Sequence, residues 1–378
     1  MKPCHLAIPL SLLAAAPLLG QPAPSLTPGS PQPASSKSFS LLERSANTRL
    51  WERTEYEPAP DGQFRPKVHR VIELGSSICY QLPNGDWADT DDSFDITPQG
   101  YAVAPRGPAK IIIAPNLNTP EGVLDIQSPD GQRFRSGPVG LVVYSPATGK
   151  SLQVGRVQDC EAWQTAKNEI TFFDAFEGLK ANVRFRNELG GRFHQEVVLT
   201  RKLTPTTLAR LGFSGDLTRE PLWIEIWSEF IECPEAAVET TVLRSEADPV
   251  RRAAMVDPDT TDAFLDFGAT KLARGIAFSE AAPTQSVTVF KRWLEDPETG
   301  HRFLVEACDY AELLPLLEPL EEATFASVEP STPPKTMLAQ NAPPSAAPSV
   351  TTSQGTERTS PSAASSGSPL RLLVRHRL

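Results

Sequence analysis

The chain has 378 residues, with 46 acidic and 36 basic side chains and a formal net charge of −10. Binding to nucleic acid requires a basic surface that neutralises phosphates, so this composition predicts no nucleic-acid partner. Proline is frequent, at 37 residues, and much of the excess lies near the two ends of the sequence. The length between these ends suits one large β domain or two small ones.

Met1–Gly20 predicts an export signal. Lys2 supplies the positive start, and a predominantly apolar stretch follows at Leu6–Leu19. That stretch is too short to span a bilayer comfortably, and no other segment reaches the length of a membrane-spanning helix. We therefore expect cleavage after Gly20 and a secreted protein of the bacterial type, extracellular, periplasmic or at the cell surface, with no membrane span.

Composition divides the rest of the chain into three parts. Residues 21–44 are rich in Pro, Ser and Ala and predict a flexible leader, and residues 45–323 predict a β-rich globular core. If this core has two halves, we expect them to meet near residues 204–220. The Pro/Ser/Thr/Ala-rich residues 324–378 cannot bury enough apolar area to offset their ordering entropy and predict a disordered tail. We expect its final segment, PLRLLVRHRL, to be a solvated, frayed end in preference to a short docking segment.

The segment Ala181–Leu199 predicts an antiparallel hairpin. A three-residue loop, Leu189-Gly190-Gly191, offers glycine for the left-handed position that such loops need. The cross-strand pairs that this loop predicts are Ala181 with Leu199, Val183 with Val197, Arg184 with Glu196 and Glu188 with Arg192. The apolar pairs predict a dry face, and the charged pairs predict a wet one.

Short strands and turns recur along the whole core. Turn signals are Asn84-Gly85, Pro129–Gly131, Pro146–Gly149 and Asp296–Gly300. Helix is scarce, with one or two turns expected at Thr204–Leu211 and a capping box at Asp309–Glu312 that begins a short helix. These signals predict a mainly β protein, with a large antiparallel β-sandwich-like domain, short helices and disordered ends.

The sharpest candidate site is the strand Trp223–Glu229. Alternation places on one face four candidate glycan-contact residues, Trp223, Glu225, Trp227 and Glu229. Two carboxylates beside an aromatic platform suit a sugar site, where paired acids can cleave glycosidic bonds. The alternative is a strand that turns Ile224, Ile226 and Phe230 inward and leaves a wet Trp/Glu face.

Other chemical motifs are weaker. The acidic loop Asp86–Asp95 has oxygen ligands suited to calcium but lacks the spacing and the turn glycine of a calcium loop, so a solvated acidic turn is favoured. The same applies to Asp257–Asp262. The segment Gly212–Asp216 lacks the last glycine of G-x-S-x-G, and phosphate-binding glycine loops and H-E-x-x-H are absent from the sequence. We therefore assign no catalytic residue, no metal ligand and no cofactor.

Four cysteines remain after the export signal. They are Cys79, Cys160, Cys233 and Cys308. Their wide spacing argues against a zinc site. Four cysteines allow three disulfide connectivities, and four buried free thiols are the equally weighted alternative, so both interpretations stay open.

Several phrases of the core resemble one family of bacterial modules. The phrases are VIELGSSICYQLPNGDW, APNLNTPEGVLDIQSPDGQRFRS, FFDAFEGLKANVRFRNELGGRFHQEVVL, WIEIWSEF, FLDFGATKLARGIAF and VFKRWLEDPETGHRFLVEACDY, within residues 51–320. Together they resemble the N-terminal extracellular module of large secreted bacterial proteins, some of which carry RHS/YD-type repeats. That module has no assigned activity, so the resemblance implies an extracellular place and transfers no site residue.

The sequence therefore favours a secreted, non-catalytic structural, adhesive or assembly module of the bacterial exterior. The alternative is a carbohydrate-binding or glycan-cleaving protein that uses the face of Trp223 and Trp227. Either interpretation implies a glycan or a protein on the cell exterior as the partner.

Overall fold

The computed structural model describes residues 38–279, 282–323 and 370–377. The predicted export signal, most of the predicted leader and residues 324–369 of the predicted tail lie outside this range. The chain divides into two compact units, and the division between them lies near residue 75.

The first unit contains a three-stranded sheet in the order β1-β2-β3. The strands are β1 (Ser40–Ser45), β2 (Thr48–Pro58) and β3 (Phe64–Leu74). β2 and β3 are antiparallel and pair along their whole length, from Thr48 opposite Leu74 to Pro58 opposite Phe64. Ion pairs cross from strand to strand, with 3.1 Å between Arg49 and Glu73 and 2.9 Å between Arg70 and Glu52. Solvent screens such pairs, so each stabilises the sheet weakly.

The second unit holds the remaining strands and three short helices. The early strands are β4 (Cys79–Gln81), β5 (Trp87–Asp89), β6 (Asp95–Ile96), β7 (Ala102–Ala104), β8 (Lys110–Ile113), β9 (Leu124–Gln127), β10 (Arg133–Tyr144), β11 (Ser151–Val157), β12 (Ala162–Ala166), β13 (Glu169–Phe172) and β14 (Phe176–Gly178). The later elements are β15 (Ala181–Glu188), β16 (Arg192–Leu199), α1 (Pro205–Arg210), β17 (Trp223–Glu232), β18 (Ala237–Ser245), α2 (Pro249–Ala254), β19 (Asp259–Asp266), β20 (Lys271–Ser279), β21 (Ala282–Glu295), β22 (Arg302–Asp309), α3 (Tyr310–Leu317) and β23 (Leu370–Arg377).

Two antiparallel sheets form the body of this unit. The first runs β6-β7-β8-β9-β10-β17-β22-β21, with β11 beside the second half of β10 and β14 beside β11. The second runs β12-β13-β15-β16-β23-β20-β21, with β19 beside the start of β20 and β18 beside β19. β21 belongs to both sheets, because its earlier residues pair with β20 and residues 290–295 pair with β22.

One apolar core lies between the two sheets. Ile111, Leu141 and Ile224 of the first sheet and Phe185 and Leu272 of the second belong to the same buried cluster. Burial of this area is the main favourable contribution to folding. The prediction of a mainly β, antiparallel, sandwich-like fold with short helices is confirmed.

The predicted hairpin register is confirmed pair by pair. β15 and β16 are antiparallel, from Ala181 opposite Leu199 to Glu188 opposite Arg192, as the three-residue loop requires. Gly190 and Gly191 adopt φ of 85° and 66°, in the left-handed region that favours glycine. The prediction of a wet second face is wrong, since His194 and Glu196 are buried. β16 has β15 on one edge and β23 on the other, so it is an interior strand.

The last described strand corrects a second expectation. Residues 370–377 form β23, which pairs with β16 on one edge and with β20 on the other. This differs from the frayed end that the composition suggests. Backbone hydrogen bonds to two neighbouring strands contribute to the order of this segment, and composition does not reveal that contribution.

Each of the two predicted helix starts is confirmed. Thr204 caps α1 by accepting a hydrogen bond from the Thr207 N–H at 3.1 Å, and Asp309 caps α3 by accepting one from the Ala311 N–H at 2.9 Å. Such side chains satisfy backbone donors that lack a partner in the first helical turn.

The hairpin yields a direct test of its register. Val183 is fully buried, whereas Arg192 is exposed and lies 3.5 Å from Glu188. We expect Val183→Asp to lower the free energy of unfolding by several kcal/mol, because it buries an unpaired carboxylate. The control Arg192→Ala should cost about 0.5 kcal/mol or less. Equal losses for the two variants in urea denaturation would contradict the register.

Candidate functional site

The predicted Trp/Glu strand is β17, in the middle of the first sheet between β10 and β22. Ile224, Ile226 and Phe230 belong to the core between the sheets, so their predicted inward direction is confirmed. The opposite face is not wet as expected, because Trp223, Glu225 and Trp227 are 3%, 1% and 6% exposed. The face is apolar around them: Trp227 packs with Val139, Val142, Phe303 and Val305, and Trp223 packs with Phe290, Ala307 and Tyr144.

Both carboxylate oxygens of Glu225 are engaged. Oε2 accepts a hydrogen bond from Trp227 Nε1 at 2.9 Å, and Oε1 accepts one from the Arg292 guanidinium. Burial raises the pKa of Glu225, and the charge of Arg292 and the two hydrogen bonds act in the opposite direction. The carboxylate is therefore held by its neighbours and has no oxygen directed at open space.

Arg292 also contacts a second carboxylate. Its Nη1 lies 3.7 Å from Oδ2 of Asp257, which accepts a hydrogen bond from the Tyr144 hydroxyl. The guanidinium lies over the rings of Tyr144 and Trp223, at 5.1 and 5.3 Å from their centroids. A cation thus contacts both Glu225 and Asp257, whereas paired catalytic acids need a sugar or a water at that place.

Glu229 has a different partner. Its Oε1 forms a hydrogen bond with Nδ1 of His301, and the His301 ring stacks against Phe303 with 6.5 Å between centroids. The structure therefore brings Trp223, Glu225 and Trp227 into one network and leaves Glu229 in a separate pair. Glycan contact at these four residues stays a prediction.

A pocket of about 390 Å³ opens beside Trp223. Its wall includes Asp257 and Asp309, together with Pro146, Leu217, Pro221, Arg244, Glu246, Arg251, Met255 and Thr260. The charges of the wall pair with one another, since Arg244 donates to Asp309 at 2.5 Å and Arg251 lies 3.4 Å from Glu246. The wall thus combines Trp223 with acidic and basic side chains, of which Arg244, Asp309, Arg251 and Glu246 are paired with one another.

Three carboxylates of the acidic loop pair with cations of the protein. Arg106 bonds to Asp91 at 3.1 Å and to Asp95 at 2.6 Å, and Lys167 bonds to Asp92 at 2.8 Å. Hydrogen bonds from Ser93, and then Arg106, lower the pKa of Asp91. Within the described residues, no three His, Cys, Asp or Glu side chains are grouped so that they could hold a metal ion.

The four cysteines are free thiols in the described structure. Cys79 and Cys308 are buried, and Cys160 and Cys233 are half-buried. Burial raises the pKa of the Cys160 thiol to about 11, so it is a poor nucleophile near neutral pH.

Sequence reasoning missed a buried charged cluster on the core side of the first sheet. Lys291 is enclosed, and its Nζ donates to Asp262 Oδ1 at 2.9 Å, while Arg274 donates to Asp262 Oδ2 at 3.0 Å. Glu306 is the cross-strand neighbour of Lys291 and is 1% exposed, and neither of its carboxylate oxygens has a hydrogen-bond partner. A lysine between Val289 and Trp293 in an alternating strand was the available signal.

Burial raises the pKa of Glu306 to about 8, against the opposing charge of Lys291. The folded protein therefore holds this carboxyl in its neutral form near pH 7, because desolvation of a second carboxylate beside Asp262 is unfavourable. Glu306 is enclosed and does not line the pocket beside Trp223.

Comparisons of the chain with protein-family models, with curated proteins and with solved structures find no match. In the described part of the chain, no helix is both long and apolar enough to cross a bilayer.

Glu306 predicts a specific dependence of stability on pH. Its pKa is about 4.5 as the ordinary value and about 8 in the folded chain, so the folded state binds the proton more tightly. The resulting stability is complete below pH 4.5 and is lost as pH rises through 8, with a slope of up to about 1.4 kcal/mol per pH unit.

Glu306→Gln should flatten this slope in urea denaturation between pH 5 and 8, and should raise the stability at pH 8 relative to the parent chain. Glu295→Gln, at an exposed position, is the matched control and should leave the slope unchanged. Identical slopes for the parent and Glu306→Gln would refute the raised pKa.

Proposed function

We propose that the chain is a secreted, non-catalytic structural and assembly module of the bacterial exterior. One observation carries the non-catalytic part: the best candidate acid, Glu225, is buried with both oxygens bonded, to Trp227 and to Arg292. A general acid or a nucleophile must touch the reacting atoms. A carboxylate in this setting stabilises the sheet and does not reach a substrate.

The second acid of the neighbourhood supports the same proposal. Asp257 accepts a hydrogen bond from Tyr144 and lies 3.7 Å from Arg292, the cation that also holds Glu225. The guanidinium contacts both carboxylates and offsets part of their mutual repulsion. The charge of Arg292 is therefore paired within the protein, as in many partly buried ion pairs.

The proposed location rests on the sequence of Met1–Gly20 and on the resemblance to the extracellular module. The acidic net charge of −10 suits a protein that does not bind nucleic acid. The abundant strands support an assembly role, because strand edges pair readily with other extended segments.

A second candidate is glycan contact at the pocket beside Trp223. The pocket volume of about 390 Å³ is within the range of small-ligand sites, and its wall combines a tryptophan with Arg and Asp side chains. This candidate places binding at the pocket and leaves Trp227, which is enclosed by Phe303 and Val305, as a packing residue.

The proposal is tested by incubating the full chain with plant, algal and bacterial polysaccharides and by probing it on a glycan array. We expect no release of reducing ends and no glycan capture. Glu225→Gln, Glu229→Gln and Arg244→Ala are assayed in parallel, each with a circular dichroism check of folding.

Two outcomes would contradict this expectation. Hydrolysis by the parent chain that folded Glu225→Gln or Glu229→Gln abolishes would replace the proposal with a glycosidase. Capture of a glycan without hydrolysis, weakened by Arg244→Ala, would favour the second candidate.

A further inference from the structure

β23 is an interior strand with a long tether. It pairs with β16 from Arg192 to Leu199, and with β20 between Lys271 and Ser279. The whole of residues 324–369 separates it in sequence from the described core. Most connections in compact domains are about 2–6 residues long. This connection is much longer, so it does not by itself determine whether β23 pairs with its own chain or with another copy.

The gap between β16 and β20 has two facing edges. β16 pairs with β15 on its other edge, β20 pairs with β19 and β21 on its other edge, and β23 alone joins β16 to β20 in the described sheet. Without β23, both edges would expose unpaired backbone donors and acceptors. Such edges bind extended segments through main-chain hydrogen bonds.

The composition of residues 370–377 suits this gap. The segment LRLLVRHR has three arginines, no acidic residue and no proline, so every residue retains a backbone N–H. The register does not place opposite charges together, since Arg377 is the partner of Arg192 on β16 and of Lys271 on β20. The fit of the segment therefore rests on continuous backbone pairing with both strands.

We propose that the gap between β16 and β20 is a strand-acceptor site whose occupant in the assembled state is residues 370–377 of a second copy of this chain. The backbone pairs are the same as those that the strand makes within its own chain, which makes exchange between copies a low-cost route to assembly. The effective concentration of a strand for a site in its own chain falls as the connection between them lengthens, which favours exchange with a second copy. In dilute solution, each chain therefore fills the site with its own strand. Where chains are densely packed, as on a cell surface, a neighbouring copy supplies the strand.

This inference rests on the proposed function for its role in assembly, yet the two can fail separately. Glycan hydrolysis would overturn the proposed function and leave strand capture intact. Absence of strand capture would overturn the inference and leave the non-catalytic proposal intact.

The test uses the full chain with Val374→Pro, which removes a backbone donor in the middle of β23, and the matched control Ser349→Pro, outside the strand. The probe is a fluorescent peptide of residues 368–378. We expect Val374→Pro to capture the peptide at least tenfold more tightly than the parent chain or Ser349→Pro, whose sites are filled. A peptide that carries the same proline should not be captured.

A second arm covers the case in which Val374→Pro does not fold. A protease recognition sequence inserted after Gly355 of the full chain allows the tether to be cut in the folded protein. We expect residues 370–378 to co-elute with the core after cutting and to be displaced by the labelled peptide. Release of the fragment on cutting, or equal capture of the wild-type and proline peptides, would overturn the proposal.

The contribution of a second copy is tested by refolding the parent chain at about millimolar concentration and measuring mass by light scattering after chromatography. A dimer from the parent and from Ser349→Pro, but not from Val374→Pro, is the expected result. A dimer formed equally by Val374→Pro, or no dimer from the parent, would exclude exchange between copies.

Discussion

Two adjacent basic residues of β21 neutralise buried carboxylates on opposite faces of the first sheet. Lys291 points into the core and pairs with Asp262, whereas Arg292 points to the other face and pairs with Glu225. β21 is also the strand that pairs in both sheets, with β20 and then with β22. The strand that joins the two sheets therefore carries two adjacent cations, and each of them pairs with a buried carboxylate.

This constraint decides what the candidate site can do. Removing one partner of a buried ion pair strongly destabilises the folded protein, because the remaining charge is buried without solvent or a counter-charge. Glu225 is bound to Arg292 for that reason, and Trp227 adds a second hydrogen bond. Residues that resemble a sugar site in sequence thus act as the polar centre of an otherwise apolar sheet face.

Local signals in the sequence predicted local structure well. The pairing of Val183 with Val197 follows from a short loop and from alternation within the single segment Ala181–Leu199, and the structure has that register. The common face of Trp223 and Glu225 follows from alternation too. Their burial does not, because it depends on β10 and β22, which are distant in sequence on either side of β17.

Non-local pairing explains the other failures. The order of residues 370–377 arises from the pairing of β23 with β16, two strands that lie far apart along the chain. Composition indicates the ordering entropy and the apolar area of a segment. It does not reveal which strand edges of the fold are free to pair with that segment. Lys291 gave a readable signal, since it alternates with Val289 and Trp293, but its partners Asp262 and Glu306 are identified only by the fold.

The central claim is that Glu225 is a structural partner of Arg292. It is tested most directly by a double-mutant cycle of Glu225→Gln and Arg292→Leu, with the free energy of unfolding measured in urea. The account predicts a coupling of at least about 2 kcal/mol, with the double variant more stable than Arg292→Leu alone, because the single variant leaves a buried carboxylate unpaired. A coupling within about 0.5 kcal/mol of zero, as for exposed and independent charges, would contradict it.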